Sequence, residues 1–126
     1  MLANWRVAGL VFIGGAIGSM LRHVLHDFVA GFAKYPEGEM LALATVNLLG
    51  SYFLGLVVRH PLFSGDLRQA FFGTGLAGGF TTMSAVTMFI VVEDLTSEIA
   101  LMLFGAVICF AAGWHQGRRK AKKKAA

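Results

Sequence analysis

The sequence predicts an all-α membrane protein with four transmembrane helices, the third of them broken near its centre. Three observations predict it. First, 56% of the 126 residues are apolar and only 14% are charged, where a soluble domain has roughly 45–50% and about 25%; the mean hydropathy is +0.67. Second, four stretches have about the 20 apolar residues that a bilayer crossing needs. Third, one of those stretches is crowded with glycines and hydroxyl residues. The composition excludes a disordered chain, a disulfide scaffold (Cys109 is the single cysteine) and an ordinary soluble enzyme.

The predicted spans cover residues 5–29, 40–58, 67–92 and 99–114. AKYPEGE, RHPLFSGD and EDLTSE separate them, with Pro36, Gly38, Pro61 and Gly65 as turn residues. Thr96 or Ser97 is placed to cap the fourth helix, with Glu98 in its first turn. The first span is too long for a signal peptide and lacks a clean cleavage site, so it is expected to stay in the mature protein. Residues 1–117 form one four-span domain and residues 118–126 a basic cytoplasmic tail.

Four spans put both termini on one side, together with the loop between spans two and three. That side carries nine of the eleven Lys and Arg residues: Arg6, Arg59, Arg68, Arg118, Arg119, Lys120, Lys122, Lys123 and Lys124. Lys34 and Arg22 fall elsewhere, and six of the seven acids (Asp27, Glu37, Glu39, Glu93, Asp94 and Glu98) lie on the opposite side. Positive charge decides orientation, so both termini are expected in the cytoplasm, with the chain in the plasma membrane. The tail GRRKAKKKAA reads first as a topology anchor and second as an anionic-lipid contact. Binding of nucleic acid is not expected.

Polar residues inside spans mark pathways or helix contacts. In span one, Gly14, Gly15 and Gly18 allow close helix approach. Arg22, one turn on, is either a snorkelling residue paired with headgroups or Asp27, or a positive charge at the mouth of an anion route. His23 and His26 read as interfacial residues rather than metal ligands. In span two, Asn47 is either glue between helices or an amide donor for an anion. Span three reads GTGLAGGFTTMSAV. The Gly78-Gly79 pair followed by Thr81 and Thr82 suggests a helix break, whose freed carbonyls could hold a small cation; an intact helix using glycine for packing is the alternative. Span four has no Ser, Thr, Asn or Gln before Gln116, and Cys109 is its one weak donor. No acid lies mid-span, as a proton-coupled exporter would need. No nucleophile–base pair, metal cluster or nucleotide loop argues for an enzyme.

From about residue 8 to 116 the chain resembles the Fluc (CrcB) family of small fluoride channels, through GGAIGSMLRH, ATVNLLGSYFLGL and GTGLAGGFTTMS in that order. The resemblance implies an antiparallel dimer of four-span subunits, two fluoride pores, and a structural sodium ion at the dimer centre. Gly78 and Thr81 would supply its backbone carbonyls. It also implies an anion pathway that includes Asn47, Arg22 and Ser84. The family's Thr-Thr-Phe-Ser-x-Phe is here Thr81-Thr82-Met83-Ser84-Ala85-Val86, so Met83 and Val86 replace two pore-lining rings. An ungapped count puts Cys109 and Gly113 where the family has small polar residues in span four. The missing rings and the nine-to-two charge bias together suggest half of an antiparallel heterodimer with a paralogous subunit of opposite orientation. A non-conducting companion subunit and a small multidrug-type exporter are the alternatives.

Overall fold

The computed structural model describes residues 2–93 and 96–125. Asp94 and Leu95, in the connection before the last helix, lie outside the described residues. All the described elements are helical: α1 (Leu2–Ala30), α2 (Glu37–Arg59), a short 3₁₀ turn (Pro61–Phe63), α3 (residues 66–80), α4 (Met83–Glu93) and α5 (Thr96–Ala125). The chain is a multi-pass membrane protein. Helices α1, α2 and α5 are each long and apolar enough to cross a bilayer, and α3 with α4 makes the remaining, interrupted span.

Local chemistry sets the boundaries. Glu37 and Glu39 sit in the first turn of α2 and Arg59 in its last, each complementing the helix dipole. Pro61 ends α2: His60 is driven to an extended conformation (ψ 133°), and its Nδ1 accepts from the Leu62 N–H at 3.1 Å. Gly65, at φ +108°, turns the chain into α3. Within α3, residues Gln69–Ala77 are wound with i→i+5 hydrogen bonds, as in the bond from the Gly78 N–H to the Gly73 carbonyl. Such π winding is rare and concentrates at functional sites. At the start of α5, Glu98 lies in the first turn and accepts from the Ser97 hydroxyl at 2.8 Å.

The break in span three differs in place from the glycine pair. Gly78 and Gly79 stay helical, and the chain leaves helical geometry at Thr81 and Thr82, with Thr81 extended at ψ 157°. Gly79 serves packing instead: a Cβ there would run into the Gly15 backbone of α1. Helix α5 also continues past Trp114 to Ala125, so the basic run forms its last turns.

Small residues join the helices in two parallel pairs. Gly14, Gly15 and Gly18 of α1 lie against Phe71, Gly75, Leu76 and Gly79 of α3. Gly55 of α2 meets the Phe110 carbonyl of α5, and Gly113 of α5 meets the Tyr52 carbonyl of α2. With no hydrophobic drive between helices in lipid, such backbone-to-backbone contact supplies the association energy. A small core of Leu43, Val86, Ile99 and Met102 closes α2, α4 and α5 beyond the break. Trp5, Phe12, Phe28 and Phe104 point outward, as lipid-facing side chains do. Charge segregates along the bundle. Arg59 and Arg118 share one end, with Arg68 beside the Pro61–Phe63 turn. At the other end Glu37 and Glu98 line one hollow, and His26 pairs with Glu39.

Candidate functional site at the break in the third span

The break is built around Asn47, which is 6% exposed near the middle of α2. Its Oδ1 accepts from the Thr82 N–H at 3.0 Å. Its Nδ2 donates to the Leu43 carbonyl at 3.0 Å and, less tightly, to the Thr82 carbonyl at 3.4 Å. The amide thus replaces the helix as partner of Thr82 on both sides. In an unbroken helix the Thr82 N–H would turn back to the Gly78 carbonyl; here it turns to Asn47, and the Gly78 carbonyl is released. The Nδ2 and Oδ1 atoms of Asn47 thus both meet backbone, of its own helix and of the break.

Thr81 ends α3 in a different way. Its N–H and its hydroxyl both donate to the Ala77 carbonyl, each at 3.1 Å. Gly50 of α2 lets the helix approach so closely that a Cβ would strike the Thr81 methyl. Around Gly78, by contrast, a Cβ would meet nothing within 4 Å. Gly78 and Thr81, with Gly73, Thr74 and Gln69, line an open groove of about 590 Å³. Ser19 of α1 donates to the Gly79 carbonyl at 3.3 Å. Ser19→Ala should therefore lower stability by only about 0.6 kcal/mol, the usual worth of an interhelical hydrogen bond in a membrane. Equilibrium unfolding in mixed micelles checks this.

The other candidate residues are placed unevenly. Ser84 is exposed in the first turn of α4, and its hydroxyl shares a 3.2 Å hydrogen bond with that of Thr82. Met83 is also exposed, at 62%. Val86, one turn on, is 1% exposed inside the core with Leu43, Ile99 and Met102. Cys109 is a half-buried free thiol on α5. Arg22 is half-buried on α1. Gly18 packs on Leu76 and Phe80, so the parallel register puts Arg22 about 6 Å further along, level with the start of α4. Asp27 does not pair with Arg22; its carboxylate lies instead beside the imidazoles of His23 (3.5 Å) and His26 (3.6 Å). His26 also reaches Glu39 at 3.3 Å and so bridges α1 to α2.

Two features had no counterpart in the sequence reading. One is the π winding of Gln69–Ala77. The other is Gln69, whose amide donates to the Val57 carbonyl at 2.8 Å and the Phe63 carbonyl at 3.2 Å, tying α3 to the end of α2. A polar residue next to an apolar run was the available signal for the second.

Residues 9–115 match the family described as CrcB-like protein, Camphor Resistance (CrcB). A protein of Nitrobacter hamburgensis named fluoride-specific ion channel FluC 2 is 32% identical over 86% of this chain and 90% of its own length. FluC 2 of Corynebacterium jeikeium is 32% identical over 76% of this chain and 64% of its own length. FluC of Thermus thermophilus is 41% identical over 62% and 61%. The chain therefore spans a little under two thirds of the length of some relatives and nearly all of others. The matched region contains α2, α3, α4 and the Asn47–Thr82 junction, and the chain belongs to the CrcB-like protein family.

Proposed function

We propose that this chain is a subunit of a passive, fluoride-selective channel that releases cytoplasmic fluoride across the plasma membrane. The observation that carries the reading is the Asn47-clamped break in span three, in a chain whose relatives are named fluoride-specific ion channels. Fluoride binds its water tightly, so a pore must offer hydrogen-bond donors and positive charge along a narrow path. The exposed Thr82–Ser84 hydroxyl pair is the nearest donor set to the break. Arg22, at the same level, raises local anion concentration. Asn47 acts on the pathway by fixing Thr82, and Met83 lies on the exposed side of the same turn. Cys109 is a poor donor for the remaining stretch.

A structural sodium ion fits the donor set. The released Gly78 carbonyl and the Thr81 carbonyl are hard oxygen ligands beside an open groove, the kind of unwound backbone that holds sodium in membrane proteins. Two carbonyls are too few for a complete shell, which supports a second subunit across the groove. When bound, the ion would hold the dimer centre by charge.

The nine-to-two charge bias supports a fixed orientation with cytoplasmic termini. An inverted second copy of this chain would put that excess on the wrong side, so the partner is a paralogous four-span subunit of reversed bias. Numbered names among the relatives, such as FluC 2 and FluC 3, fit organisms with more than one such subunit. The replacement of two pore rings by Met83 and Val86 favours a second reading, a companion subunit that completes the dimer without conducting.

Fluoride efflux from liposomes, with chloride as the control anion, tests these readings. Selective efflux should require the paralogue. Efflux from this protein alone would overturn the heterodimer, and no efflux in either preparation would overturn the channel. Met83→Phe should be accommodated at its exposed position. Val86→Phe should overpack the core and lower stability by about 1–3 kcal/mol, which a thermal shift in detergent reads directly.

A further inference from the structure

At the basic end of the bundle two guanidinium groups share one indole. Arg59, at the end of α2, lies 5.1 Å from the Trp114 ring centroid, and Arg118, one turn beyond Trp114 on α5, lies 5.5 Å from it. The ring satisfies each cation in part. Neither arginine has an acidic partner among the described residues. The adjoining hollow, about 260 Å³, is lined by His115, Arg118, Arg119 and Lys122 and by no acid. So much unpaired charge around a rigid aromatic calls for an anion.

The depth of the stack says which kind. Trp114 follows the first residue of α5 by 18 positions, about 27 Å along a helix and close to the roughly 30 Å thickness of the hydrocarbon. The ring thus sits in the interfacial belt that tryptophan favours, and the guanidinium groups sit at the level of lipid phosphates. A guanidinium fork matches phosphate with two parallel hydrogen bonds, and stacking on Trp114 pre-orients it.

We propose that Arg59, Trp114 and Arg118 form a binding site for the phosphate headgroup of an anionic phospholipid. This inference rests on the membrane crossing and not on the transport reading. The test uses the full chain carrying Trp5→Phe, so that Trp114 is the single tryptophan reporter. The chain is reconstituted in vesicles containing either brominated phosphatidylglycerol or brominated phosphatidylcholine. Trp114 emission should be quenched preferentially by the phosphatidylglycerol. The preference should fall about fivefold for each of Arg59→Gln and Arg118→Gln, the worth of one basic residue near a charged surface. Arg59→Lys and Arg118→Lys keep the charge and the fold but not the planar fork, so they should lose a smaller but measurable part of the preference. Four results would overturn the proposal: equal quenching by both lipids, full preference in the lysine variants, loss of preference on neutralising only Lys120 and Lys123, or displacement of the lipid by millimolar inorganic phosphate, which would mark a site for soluble anions.

Discussion

Asn47→Leu will detach the break from α2. Leucine fills a similar volume but leaves the Thr82 N–H, now bonded to Asn47 Oδ1 at 3.0 Å, without a partner in a half-buried setting. The Leu43 and Thr82 carbonyls lose a donor at the same time. Leaving one buried backbone group unsatisfied costs about 1–3 kcal/mol, so a loss of about 2–3 kcal/mol is expected, together with loss of fluoride flux. Amide exchange resolved at Thr82 should accelerate before any other part of α2 or α3 does. Asn47→Asp refines the test. A carboxylate still accepts from Thr82 but faces the Leu43 carbonyl with no hydrogen to give, so the N–H should stay protected while stability falls. Unchanged flux and exchange in both variants would show that the clamp is incidental.

Gly18→Ala will separate α1 from α3. The added Cβ would enter the Leu76 carbonyl and crowd the Phe80 nitrogen, both of them backbone, so no rotamer change relieves it. The helices must move apart along the whole line from Gly14 to Gly79. Overpacking of this kind costs about 1–3 kcal/mol or more, against which the better helix propensity of alanine offsets under about 1 kcal/mol. A net loss near 2 kcal/mol is expected in an unfolding titration. Gly50→Ala is the contrasting case. Its Cβ meets the Thr81 methyl and the Phe80 ring, side-chain atoms that can shift where backbone cannot, Thr81 at the cost of its hydroxyl bond to Ala77. It should change flux while leaving stability within about 1 kcal/mol of the parent. Equal stabilities for the two variants would refute the distinction between backbone and side-chain contact.

The four crossings were legible because hydropathy and turn residues report span length directly. Residues 40–58 were read as a span, and α2 is Glu37–Arg59. The ends were less so: hydropathy stops at Trp114, but nothing in a basic run with alanine prevents α5 from continuing to Ala125. The existence of the break was legible from GGFTT, and its position was not. Glycine tolerates a helix when a neighbouring backbone presses on it, as Gly15 does on Gly79, and a buried amide 35 residues away decides where the helix stops. Asn47 stood out as a polar residue in an apolar run, but which of its groups were engaged depended on the backbone of another helix. The burial of Val86 was illegible for the same reason, because the direction of α4 is set beyond the break.

The winding of Gln69–Ala77 bears on what kinds of sequence change this span can absorb. A π segment takes up more residues per turn than the α-helix on either side of it, so it acts as a phase adjuster between the anchor at Gln69 and the junction at Thr81. Substitutions along it leave that phase intact. Removing a single residue would let the segment relax to α winding, and because the surplus residue of the π turn is what is lost, the helix after it keeps most of its facing; the same deletion in the α-helical turns on either side would rotate everything after it by about 100°. A rotation of that size would turn Gly78 from the groove and Thr82 from Asn47. The span can thus absorb a one-residue deletion between Gln69 and Ala77 that the turns on either side cannot, while Gly75 within it, pressed by the Val11 and Gly14 backbone of α1, admits no larger residue.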